Sequence, residues 1–139
     1  MTSPLFHGLL ATALAAGIVT TTSAAAQDSG KVFELRTYIT YEGRLEALNT
    51  RFADHSIALL RKHGAEVVAF WTPVDGNNAE NTLIYIVAFP SREARDQIWH
   101  AVFSDPTWPK IKADSEKGGK VVKRVTSRLM TATEYSPLQ

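Results

Sequence analysis

VFELRTYI, from Val32 to Ile39, is the stretch from which the rest of this chain is best read. Phe33, Leu35, Thr37 and Ile39 alternate with Glu34, Arg36 and Tyr38, the two-residue period of a strand whose faces meet different surroundings. On polarity alone, Phe33, Leu35 and Ile39 belong against helices, and Glu34, Arg36 and Tyr38 belong on the far side.

The elements downstream define the sheet that this strand joins. Between about Glu42 and His63, Leu45, Leu48, Phe52, Leu59 and Leu60 recur at helical spacings, and Arg61, Lys62, His63 and Gly64 give a cationic last turn with a glycine stop. Ala65–Pro73 and Thr82–Phe89 are rich in β-branched and aromatic residues and flank the turn-prone DGNNAEN from Asp75, which predicts an antiparallel pair. Ser91 is placed to cap a second helix with Ala94, Ile98, Ala101 and Val102 on its apolar face, and Asp105-Pro106 restarts a short third one. Gly118-Gly119 ends that helix, and Val121–Thr133 alternates as a last strand. The order βαββαβ is that of a ferredoxin-like α+β sandwich.

Residues 1–26 hold no Asp, Glu, Lys or Arg, and Leu9–Val19 is an apolar run of signal-peptide length, too short to span a bilayer. Ala24 and Ala26 occupy the small-residue positions of a cleavage site. The expected organisation is a signal peptide over 1–26, a short linker over 27–31 and one domain over 32–138, in a periplasmic or secreted protein. No stable membrane span is expected once the leader is removed.

The remaining composition narrows the chemistry. A net charge of +1 without a basic block gives no footprint for nucleic acid. Cysteine is absent, which excludes disulfides, thiolate metal sites and cysteine nucleophiles. No His pair has the H-x-x-x-H spacing, and neither a complete P-loop, a G-x-S-x-G nor a G-x-G-x-x-G occurs, so neither metal nor cofactor is expected. His63 and His100 read as surface residues, and Trp99 and Trp108 as packing aromatics.

In a sandwich of this kind both helices cover one side of the sheet. With the phase given above, the other side carries Glu34, Arg36, Tyr38, Tyr85, Val87 and Phe89, too large an apolar patch for a monomer to leave in water. A homodimer through the open sheet face is the expected remedy. Trp71 on the second strand is placed to line the space so enclosed, and Arg128 on the last strand to join Arg36 in holding an anion.

FELRTY at Phe33–Tyr38, the His55 helix ending in KHG, FWT at Phe70–Thr72 and the closing SRLMTATEYSPL together resemble a NIPSNAP domain over roughly 32–138. The resemblance implies a dimeric α/β barrel. It places the family's E-x-R-x-Y on Glu34, Arg36 and Tyr38, its helical histidine on His55 and its aromatic after strand two on Trp71. Tyr85 and Val87 stand where members often carry His and Trp, so interior chemistry here can differ.

The functional expectation is a small aromatic or anionic molecule bound in the barrel by Glu34, Arg36, Tyr38, Trp71, Tyr85, Phe89 and Arg128. Two alternatives stand beside it. Fold analogy allows a cofactor-independent monooxygenase-like or haem-handling enzyme, with Tyr38, His55 and Trp71 as catalytic candidates. A non-catalytic interaction protein with a filled interior is the other.

Overall fold

The computed structural model describes residues 30–139; the expected signal peptide and most of the linker after it lie outside the described residues. Strands β1 (Val32–Thr40), β2 (Glu66–Trp71), β3 (Thr82–Phe89) and β4 (Val122–Met130) form one antiparallel sheet in the order β2-β3-β1-β4. Helices α1 (Leu45–Arg51) and α2 (Ile57–Lys62) are joined by a π-helical turn, Phe52–Ser56, into one rod, and α3 (Arg92–Ser104) and α4 (Trp108–Ser115) follow β3. This is the ferredoxin-like α+β sandwich that the order of sequence patterns predicts.

The π turn has a physical reason in the rod's own sequence. Leu48, Phe52, Ser56 and Leu60 are all buried at a strict spacing of four, and such a series drifts around an α-helix of 3.6 residues per turn. A wider turn brings it back to one face. Gly64 ends the rod at φ +97°, where a residue with a Cβ is strained. Ser91 caps α3 as expected, its Oγ accepting the Ala94 N–H at 3.1 Å.

Asp105 joins the helices. One carboxylate oxygen accepts the Thr107 N–H at 2.9 Å and the Thr107 hydroxyl at 2.6 Å; the other accepts Lys62 Nζ at 2.7 Å and bonds His63 Nε2 at 2.8 Å. Lys62 first, then Thr107 and His63, hold its carboxyl well below the usual range. His63 therefore ties the end of α2 to the start of α4 rather than standing free on the surface.

The strand phase is the reverse of the polarity-based expectation. Cross-strand neighbours share a face, and β1 places Glu34 between Val87 and Leu129, Arg36 between Tyr85 and Ser127, and Tyr38 between Leu83 and Val125. This face meets the helices: Phe52 packs at 5.7 Å from Tyr38 and 5.0 Å from Tyr85, between ring centroids, and the Trp99 indole reaches Glu34. Phe33, Leu35 and Ile39 lie with Ile84 and Ile86 on the open side. Polarity misassigned the faces because burial requires polar groups to be partnered, not absent, and every polar member of the β1 set has a partner.

A bulge completes the core. The β2–β3 register shifts between Val67 and Ala69, so Val67, opposite Val87, and Phe70, opposite Tyr85, both face the helices although they are three residues apart. Phe70 stacks on Tyr85 at 4.9 Å. The aromatic set of Tyr38, Tyr85 and Phe89 is thus covered by the protomer's own helices and does not wait for a second subunit.

Candidate functional site

Glu34 is the hub of the helix-facing side. Its side chain is 0% exposed. Oε1 accepts from Arg36 Nη1 at 2.7 Å, Arg95 Nη2 at 2.9 Å and the Ser127 hydroxyl, while Oε2 accepts from Arg95 Nε at 2.9 Å and Trp99 Nε1 at 2.7 Å. One carboxylate thereby ties β1 to α3 and β4. Burial by itself raises the Glu34 carboxyl, but the bonds from Arg95, Ser127, Trp99 and Arg36 outweigh it and hold the pKa at about 2.

Beside this hub a cleft of about 520 Å³ opens between the sheet and the helices, a size typical of small-molecule sites. Its floor is Arg36, Tyr38 and Val125; its walls include Arg51, Phe103 and Trp108; and Lys112, Glu116 and Lys120 stand at α4 and the turn after it. Trp99, Phe103 and Trp108 form a continuous aromatic row, the first pair stacked at 5.4 Å and the second edge-on at 5.6 Å. Each guanidinium lies near a tryptophan ring, Arg36 at 4.3 Å from Trp99 and Arg51 at 5.7 Å from Trp108.

The two arginines differ in how their charge is met. Arg36 pairs with Glu34 and donates from Nη2 to the Tyr38 hydroxyl at 3.2 Å. Burial opposes its charge, yet Tyr38, Tyr85 and the bond to Glu34 outweigh that, and its pKa lies above the ordinary arginine value. Arg51 is only 5% exposed, makes no ion pair with any described carboxylate and reaches the Ser115 hydroxyl at 3.3 Å, while the Nε of both arginines is buried without a partner. Burial accordingly pulls its pKa below the ordinary value. A buried cation in this condition costs folding energy until an anion meets it.

The NIPSNAP family model matches residues 33–137. The chain belongs to the NIPSNAP family. Among curated proteins, none matches the sequence. The fold is similar to that of a NIPSNAP family protein of unknown function from Agrobacterium tumefaciens, at 22% identity and a TM-score of 0.68 over 80% of this chain and 96% of that one. It is also similar to an uncharacterized NIPSNAP-like domain protein from Burkholderia xenovorans, at 15% identity and 0.67 over 78% and 90%. A further match is SnoaB, a cofactor-independent oxygenase from Streptomyces nogalater, at 14% identity and 0.51 over 78% and 98%. These likenesses show that the NIPSNAP domain shares its α+β fold, a four-stranded antiparallel sheet with helices, with these structures.

The sequence-derived residues of this NIPSNAP domain fall into three places. Glu34, Arg36, Tyr38, Tyr85 and Phe89 share the helix-facing side, but only Arg36 and Tyr38 line the cleft; Glu34 is saturated by its donors, and Tyr85 and Phe89 are core. Trp71 and Arg128 are on the open side, opposite Ile84 and Leu35 respectively, so Arg128 does not join Arg36: the sheet lies between them. His55 is exposed on the rod's outer surface beside a groove against α4, outside the cleft.

Sequence reasoning missed Arg51, Phe103, Lys112 and Lys120; Trp99 and Trp108 pack as it expected, Trp99 in the core and Trp108 against it, and Trp108 also lines the cleft. One signal was present. Arg51 follows Leu48 by three positions and precedes Phe52, a cation set on the buried stripe of an amphipathic helix.

Proposed function

We propose that each subunit binds a small organic anion with a planar apolar body in the cleft between helices and sheet. The observation that carries this reading is Arg51, a buried guanidinium with no ionic partner among the described residues, set against an aromatic wall. The anion meets Arg51, and its flat body lies along Phe103 and Trp108. Lys112 and Lys120, against the single carboxylate of Glu116, bias the mouth toward negative charge.

The open sheet face supports a homodimer as the second part of the proposal. Leu35, Ile39, Ile84 and Ile86 lie there, with Trp71 49% exposed at the β2 edge. Two such faces stacked together bury this surface and form the barrel, leaving one cleft per subunit on the outer, helical side. Export through the leader and a periplasmic or secreted location belong to the same reading, which rests there on the sequence of 1–26 alone.

The direct test is thermal unfolding and calorimetry with a series of aromatic carboxylates from benzoate to naphthoate. Binding raises the melting temperature, with the logarithm of ligand concentration once that exceeds Kd, and Arg51→Met removes the effect. No stabilisation by any acid in the series, or equal stabilisation of the Arg51→Met variant, rejects the cleft as an anion site. Cofactor-independent oxygenation of the bound aromatic is the second reading, favoured by the SnoaB likeness and by Tyr38 in the cleft floor. Oxygen uptake with a bound aromatic, lost in Tyr38→Phe, supports it; turnover unchanged in that variant dismisses Tyr38 from the chemistry.

A further inference from the structure

The Tyr38 hydroxyl sits where three polar groups converge, and donor counting determines its proton. Arg36 has no acceptor, so its Nη2 donates to the Tyr38 oxygen at 3.2 Å. Tyr85 is fully enclosed, and the Tyr38 oxygen, at 3.3 Å, is the one acceptor its hydroxyl reaches among the described residues. A buried hydroxyl proton without an acceptor is costly, so the Tyr85 proton goes to Tyr38. The Tyr38 oxygen therefore accepts twice, and its own proton has no acceptor among the described residues. Tyr38 lines the cleft together with Arg36 and Arg51.

We propose that this proton selects the ligand: the cleft takes an aromatic carboxylate that bears a second oxygen function, a ring hydroxyl or ring carbonyl, which accepts from Tyr38 while the carboxylate meets Arg51. The proposal rests on the cleft being the anion site argued above and adds the second recognition point. Carboxylate is the matching anion because a single buried guanidinium, Arg51, lacks ionic compensation, which fits one charge better than the two of a phosphate ester. The rest of the interior wall is aromatic and apolar, as a ring requires.

The experiment compares hydroxylated acids, their methyl isosteres and the parent acids on the full chain by calorimetry: 3- and 4-hydroxybenzoate, the two toluates, benzoate, and the 6-hydroxy and 6-methyl 2-naphthoates. A site built to donate to an oxygen discriminates against an isostere lacking it. The expected result is that at least one hydroxylated acid binds about tenfold or more tightly than its methyl counterpart, and that Tyr38→Phe levels the two. The comparison of isosteres needs no variant, so it holds even if Tyr38→Phe fails to fold.

Equal affinity of hydroxyl and methyl analogues, with Arg51→Met still abolishing both, overturns this inference and leaves the anion site standing. Persistence of the preference in Tyr38→Phe overturns it as well. Tighter binding of phenyl phosphate than of any carboxylate overturns the choice of anion. Failure of every acid to bind overturns the anion site and this inference together.

Discussion

Replacing Glu34 by Gln tests the hub on which the cleft floor is built. The side chain keeps its shape but loses its charge and presents an NH₂ to donors: Arg36, Arg95 and Ser127 at one oxygen position, Arg95 and Trp99 at the other. Whichever way the amide turns, at least two buried or half-buried donors face another donor. Removing one partner of a buried ion pair costs about 3–5 kcal/mol, and each stranded donor about 1–3 kcal/mol within that sum. An expected loss of about 4 kcal/mol at neutral pH corresponds to roughly 16–32 °C in Tm at about 4–8 °C per kcal/mol for a domain of this size.

The pH dependence provides an independent check of the same interaction. The Glu34 pKa falls from 4.5 to about 2 on folding, which is worth about 3 kcal/mol at 1.36 kcal/mol per unit. Because the folded value is depressed, that stability is present above pH 4.5 and is lost as pH falls toward 2. Urea unfolding of both proteins between pH 7 and pH 2 should show the wild-type advantage constant down to about pH 5 and shrinking below it. A neutral-pH loss under about 1 kcal/mol, or a gap between the two proteins that does not narrow in acid, refutes the reasoning.

Three further outcomes follow from the fold. Ser91→Ala removes the α3 cap and should cost about 1 kcal/mol in denaturant unfolding; no change would mean that the bond does not persist in solution. Ile86→Asp puts a charge at the centre of the open sheet face, opposite Leu35 and Ala69, and should convert a dimer to monomers in sedimentation velocity; a dimer surviving this change places the interface elsewhere. Gly118→Ala sets a Cβ at 2.8 Å from Arg44 Nη1 and displaces a guanidinium that donates to the Ser115 and Gly119 carbonyls. Faster hydrogen exchange confined to α4 and the following turn is the expected signature, and unchanged exchange there would show that Arg44 does not hold the end of α4.

How far the sequence could be read depended on the kind of signal. The period of VFELRTYI, the stripe from Leu45 to Leu60, the Gly64 stop and the Ser91 cap are local features, and each produced the element expected of it. The α+β order followed from them, while the resemblance to NIPSNAP rested on separate linear motifs, FELRTY, KHG, FWT and SRLMTATEYSPL, and the family model matches 33–137. Arg36 and Tyr38 were named from the strand motif and do line the cleft.

Which side of the sheet those residues face was another matter. In β1 both faces carry apolar residues, and what sends Glu34 inward is a set of donors from Arg95, Trp99 and Ser127, 61 to 93 positions away along the chain. Such partners become visible only when the chain is folded. The same holds for Arg51, a surface-type residue by composition that the fold leaves 5% exposed beside Trp108, and for Arg128, on the opposite face of the sheet from Arg36. The amino-acid order determined the elements and their succession because turns, caps and periodicity act over a few residues; the tertiary structure alone decided which charges are buried and what they meet, because desolvation and pairing are settled between segments far apart in sequence.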